Sequence, residues 1–117
     1  MENNERITLA VGTRAVCGYL RKAFLMTSSE VDELRRSILD CAASQELTVD
    51  AIYEEELDRA SDQLVECIGA LIGADQPVLI IPSLLHFAGF GNPLEVRRDF
   101  QTQGIHVLVA QDSRPRS

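Results

Sequence analysis

The sequence predicts an α/β domain of three layers, with helices on both faces of a four- to five-stranded, mainly parallel sheet. Three observations carry this prediction. Short apolar runs at residues 15–20, 47–53, 78–81 and 105–109 have strand length, and they alternate with stretches whose apolar residues repeat at the helical period. The chain has 117 residues, the size of one domain. Strand–helix–strand units of this size connect as right-handed crossovers, which set the strands parallel and cover the sheet on both faces.

The elements follow in order. Residues 1–13 read as an N-terminal extension or an edge strand: residues 7–11 are mostly apolar, and Gly12-Thr13 offers a turn. Residues 15–20 are apolar without alternation, as in a strand buried on both faces. From Ser29 the period becomes helical, with Val31, Leu34, Ile38 and Ala42 on one face, and Ser29 with Asp32 reads as an N-cap and its capping-box partner. A second strand over residues 47–53 runs into Glu54-Glu55-Glu56. Ala60, Leu64, Cys67, Ile68, Leu71 and Ile72 form the next helical stripe, closed by Gly73 at a left-handed C-cap. Residues 78–81 are the strongest strand. Pro93 opens a helix to about Gln103, Gly104 ends it, and residues 105–109 make the last strand. The polar, proline-containing residues 111–117 read as a disordered tail, leaving residues 14–110 as the domain. For so short a chain the natural strand order is 2-1-3-4, as in flavodoxin-like sheets.

Composition narrows the function. The formal net charge is −7, which opposes a phosphate backbone. Ten arginines and one lysine are scattered, with pairs only at Arg21-Lys22, Arg35-Arg36 and Arg97-Arg98, so no nucleic-acid-binding stripe forms. No run approaches the ~18 apolar residues of a membrane span, and the N-terminus lacks the pattern of a signal peptide, so a cytoplasmic location is the expectation. Cys17, Cys41 and Cys67 are widely spaced among apolar residues and read as reduced core thiols. No glycine-rich phosphate loop and no G-x-S-x-G elbow occurs, so no cofactor is expected. Glu54, Glu55, Glu56 and Asp58 have the chemistry to hold Mg²⁺ but read as a solvated charged loop, and no metal is expected. His106 reads as a packed or edge residue of its strand, and His86 as an ordinary loop histidine.

Ligands of open α/β sheets bind beyond the carboxyl ends of the strands. That edge holds residues 21–28, 54–59 and 83–92. Here Gly18-Tyr19-Leu20-Arg21 resembles the G-Y-x-R that opens the catalytic domain of resolvases and invertases, the serine recombinases. Ile52-Tyr53-Glu54-Glu55 is similar to that family's second strand end. Val78-Leu79-Ile80-Ile81-Pro82-Ser83-Leu84 looks like the strand leading into its L-D-R-L-x-R motif, and Gln103-Gly104-Ile105-His106-Val107 resembles its x-G-V-x-V. The resemblance covers about residues 14–110 and implies a resolvase-like sheet.

In that family a serine two residues after the arginine attacks a DNA phosphate, and arginines stabilise the charge that develops. Carried over, Arg21 is retained and Ala23 stands where the nucleophile belongs. Leu85, His86 and Gly89 stand at the aspartate and the two arginines. Thr27, Ser28 and Ser29 offer hydroxyls at the same edge but read as helix caps. Arg21, Ser28, Ser29 and His86 therefore remain the catalytic candidates, on a chain that leans towards no catalysis.

Leu84, Leu85, Phe87 and Phe90 replace charged chemistry with apolar side chains, either packed on the domain or forming a contact surface. The expectation is a degenerate recombinase-like domain without strand-exchange activity that binds a protein partner or itself, reaching DNA only through a partner. Two alternatives stand beside it: a recombinase subunit that cuts DNA through a serine, and a flavodoxin-like domain holding a small ligand at the same edge.

Overall fold

The computed structural model describes residues 14–23, 25–56 and 62–113. Strand β1 (Arg14–Arg21) is central, because its apolar residues are buried on both faces. β2 (Ala51–Glu55) and β3 (Gln76–Ile81) pair parallel to it on either side, and β4 (His106–Val109) pairs parallel to β3. The order β2-β1-β3-β4 is the expected 2-1-3-4. The proposed edge strand at residues 7–11 lies outside the described residues.

Helix α1 (Ser28–Ser44) covers one face, burying Val31, Ile38, Cys41 and Ala42 against Val16, Leu20, Val78 and Ile80. It approaches β1 closely at Gly18, where a Cβ would lie 2.7 Å from Ile38 Cγ2 and 3.3 Å from Ile52 Cγ1. Gly18→Ala is therefore expected to lower the unfolding free energy by about 1–3 kcal/mol, as overpacked cores do. Gly69→Ala, at a helical glycine surrounded by open space, should raise it by about 0.5–1 kcal/mol. Urea midpoints of the two variants measured side by side check both signs.

Thr27, not Ser29, caps α1. Its hydroxyl accepts from Glu30 N–H at 3.1 Å, and Glu30 Oε1 accepts from Thr27 N–H at 2.8 Å. Two capping frames overlap here, and only Thr27 is followed at the third position by the longer glutamate side chain that reaches back. Asp32, expected as the cap's partner, pairs instead with Arg35. The helix ends at a left-handed Glu46 (φ 60), with Leu47 N–H bonded to Ala42 C=O at 2.8 Å. That closure uses up residues expected to open β2. Leu47 and Val49 still pack on the core, but pairing with β1 begins only at Asp50, whose carboxylate accepts from Val16 N–H at 2.8 Å.

On the other face, α2 (Asp62–Leu71) buries Leu64, Cys67 and Leu71, and left-handed Gly73 (φ 95) follows it as expected. Helix α3 (Pro93–Thr102) starts at Pro93 after an Asn92 cap whose side chain accepts from Leu94 N–H at 2.9 Å. Gly104 (φ 92) lies just beyond its end. The short helix α4 (Ala110–Ser113) continues from β4 into the segment expected as a tail, with Gln111 N–H bonded to Pro82 C=O at 3.0 Å. Residues 114–117 lie outside the described part. Cys17, Cys41 and Cys67 are all buried and none is in a disulfide, and burial pushes the Cys17 and Cys67 thiols up.

Candidate functional site

The segment expected to be a loop, Leu84–Phe90, is a 3₁₀ helix that follows β3 and packs against α3 and β1. A 3₁₀ helix turns every three residues, so Leu84, Phe87 and Phe90 share one face. That face points inward. Phe87 is fully buried and meets Phe100 edge-on at 5.5 Å, and Phe90 meets Tyr19 at 6.2 Å. Leu84 is half-buried against the same core, and Leu85 alone of the four projects, 76% exposed. Phe87 is thus part of the core, while Leu84 and Phe90 are half-buried.

The inward turn also sets His86, whose Nδ1 accepts from Arg21 N–H at 2.9 Å. With Nδ1 as acceptor, the proton of the neutral ring sits on Nε2. Burial holds the imidazole at about 4, so it is an uncharged donor at neutral pH and supplies neither the cation of a phosphate clamp nor a base at Nδ1. The folded value lies below the unfolded one. Stability from the neutral ring is therefore complete above the usual histidine range and lost as pH falls from about 6.5 to about 4. The loss is expected to reach at most about 3 kcal/mol. His86→Asn, which keeps an acceptor for Arg21 N–H without titrating, should flatten that part of a stability–pH curve; an unchanged curve excludes His86 as its source.

The remaining motif residues have structural partners. Tyr19 donates its hydroxyl to Glu55 Oε1 at 3.1 Å, and its own ionisation is pushed up, first by burial and then by that carboxylate. Arg21 lays its guanidinium 5.5 Å from the centre of the Phe90 ring. Glu55, expected in a solvated loop with Glu54 and Glu56, is fully buried. It also accepts from Gln63 N–H at 3.1 Å and Leu64 N–H at 3.2 Å, capping α2 from the end of β2. Glu54 is gripped by Arg35, whose hydrogen bonds hold it below the usual carboxylate range, and Lys22 reaches Glu56 at 3.0 Å and Glu54 at 3.8 Å.

Among the described residues, two clefts line this carboxyl edge. One, of about 320 Å³, is lined by Arg21, Lys22, Ala23, Met26, Ser83, Leu85 and His86. The other, of about 290 Å³, is lined by Glu54, Glu55, Glu56, Asp62 and Gln63. Arg21, Ala23 and His86 thus meet in one cleft. Ser28 and Ser29 do not line it; both stand exposed in the first turn of α1. Ser83 does line it, and sequence reasoning missed it, although a residue directly after a strand's carboxyl end is where such folds place site residues. Among the described residues no three His, Cys, Asp or Glu side chains converge to hold a metal ion, and Asp58 lies outside them. No described helix is long and apolar enough to cross a membrane.

No protein-family model and no curated protein matches the sequence. A search of solved structures matches the C-terminal catalytic domain of ISC1926 TnpA, an IS607-like serine recombinase, with a TM-score of 0.66 over 88% of this chain and 71% of that one. The fold is that of a serine recombinase catalytic domain. At 16% identity the likeness concerns fold and not chemistry. The recombinase-like sheet nonetheless puts Arg21 at the end of its first strand, with Ala23 two residues on in the same cleft.

Proposed function

We propose that this chain is a non-cutting relative of the serine recombinase catalytic domain, acting by protein association at the carboxyl edge of its sheet. The observation that carries the reading is the composition of the Arg21 cleft. Alanine stands at the nucleophile's position, and a leucine and a neutral histidine line the cleft where the resemblance calls for the aspartate and an arginine; in the sequence a glycine takes the place of the second arginine. A phosphoryl transition state spreads negative charge that fixed cations must meet. In this cleft Arg21 rests against Phe90, and Lys22 is tied to Glu54 and Glu56. Dimer formation and a regulatory role belong to the same proposal.

A second reading, a DNA-cutting subunit, is favoured by one observation: Ser83 brings a hydroxyl into the cleft beside Arg21 and makes no capping hydrogen bond. One experiment separates the two. The purified chain is incubated with supercoiled DNA, quenched in denaturant and assayed for protein–DNA adduct, while tagged protein is used to recover partners from its host. Partner recovery that Leu85→Ser abolishes, without adduct, is the expected result. An adduct that Ser83→Ala abolishes makes the chain an enzyme.

A further inference from the structure

We infer that the segment docking at this edge is basic and carries an apolar anchor; the inference rests on the protein-association reading and names the partner's chemistry. The apolar half of the surface is well defined. Leu85 stands 76% exposed on the outer face of the 3₁₀ helix, beside Ala23 and Met26 across the cleft. Leu25, on the turn joining those two, is 82% exposed and held at φ 63, a conformation a leucine rarely adopts. A strained, outward leucine persists only where the surrounding structure imposes it, and such positions cluster at binding surfaces. Met26 N–H bonded to Ala23 C=O at 3.1 Å closes that turn.

Charge decides the other half. Lys22 lines the apolar cleft and reaches Glu54 and Glu56 of the neighbouring one, so the two clefts form one surface divided by its ammonium. Arg35 is spent on Glu54 and Asp32. The second cleft also presents Asp62, and Glu56 keeps 60% of its side chain exposed beside its pair with Lys22, on a chain of net charge −7. An acidic peptide or a nucleic acid meets repulsion there, and a nucleic acid leaves Leu25 and Leu85 against phosphate. A lysine or arginine in the acidic cleft, with an apolar side chain against Met26 and Leu85, complements both halves.

The test is an amide chemical-shift titration of the full chain with three probes. They are acetyl-Lys-Arg-Leu-Phe-Arg-amide, its counterpart with glutamate at each basic position, and a 20-base-pair DNA duplex. The basic peptide alone should move the amides of residues 23–26, 83–86 and 54–56. Leu85→Ser should weaken it roughly ten- to a hundredfold, and Glu56→Lys by about threefold or more. Both side chains are exposed, so the variants should keep the wild-type spectrum elsewhere. Stronger shifts from the acidic peptide or the duplex, or none from any probe at millimolar concentration, overturn the inference. So does a deletion of residues 114–117 that by itself moves these amides in the absence of any probe, since the basic tail is then the occupant. Partner recovery that needs Leu85 but ignores Glu56→Lys leaves protein association standing and removes only the basic anchor.

Discussion

Phe87→Ala is expected to lower the unfolding free energy by about 3–5 kcal/mol, the usual cost of truncating a fully buried aromatic ring. The ring has no exposed surface, sits among Tyr19, Leu79, Ile81 and Val107, and meets Phe100 edge-on at 5.5 Å. That pairing adds about 0.5–1.5 kcal/mol beyond the area buried. A domain of this size has only about 5–15 kcal/mol in total, so the variant should melt far earlier or fail to fold. Leu85→Ser, two residues away but 76% exposed, should change stability by less than about 0.5 kcal/mol. Parallel urea titrations decide the matter, and near-equal midpoints would sink the assignment of Phe87 to the core. The contrast governs every binding experiment on this segment. Loss of a partner on changing Phe87 reports an unfolded domain, whereas loss on changing Leu85 reports a lost contact.

The same segment shows what the sequence makes legible. Leu84, Phe87 and Phe90 recur every third residue, the period of a 3₁₀ helix, yet seven such residues in a row are uncommon, and a loop is the natural expectation. Strands β1 and β3 are readable because burial on both faces demands unbroken apolar runs, and α2 because its stripe ends at Gly73. The start of β2 is not readable. Leu47 and Val49 are apolar because they pack under α1, and apolarity alone does not distinguish packing from strand pairing. Gly18-Tyr19-Leu20-Arg21 is readable as a motif, but its physical content comes from the fold. Glycine admits Ile38, tyrosine reaches Glu55, and arginine lies over Phe90.

Glu55 was hidden for a related reason. Nothing in Glu54-Glu55-Glu56 distinguishes the middle residue, because its partners come from a neighbouring strand and from a helix seven residues on. Alternation along β2 supplies the distinction: Glu54 faces α1 and Arg35, while Glu55 turns to the opposite face and finds Tyr19 and the first turn of α2. Replacing it should be costly. Glu55→Ala removes the acceptor of three hydrogen bonds and the negative charge at a helix N-terminus. Each donor left dry costs about 1–3 kcal/mol, so a total near 3–5 kcal/mol is expected once partial rewetting is allowed for. Tyr19→Phe deletes one donor and leaves the other two bonds in place, so about 1 kcal/mol is expected. Glu55→Gln keeps one acceptor oxygen and should fall between them. Hydrogen exchange adds a local readout, because the amides of Gln63 and Leu64 should lose protection in Glu55→Ala and keep it in Tyr19→Phe. If Glu55→Ala is as mild as a surface change, the carboxylate is not what fastens α2 to β2. If the expected order holds, this buried acid fixes the strand end from which Glu54 and Glu56 face the docking surface, and the acidic half of that surface depends on it.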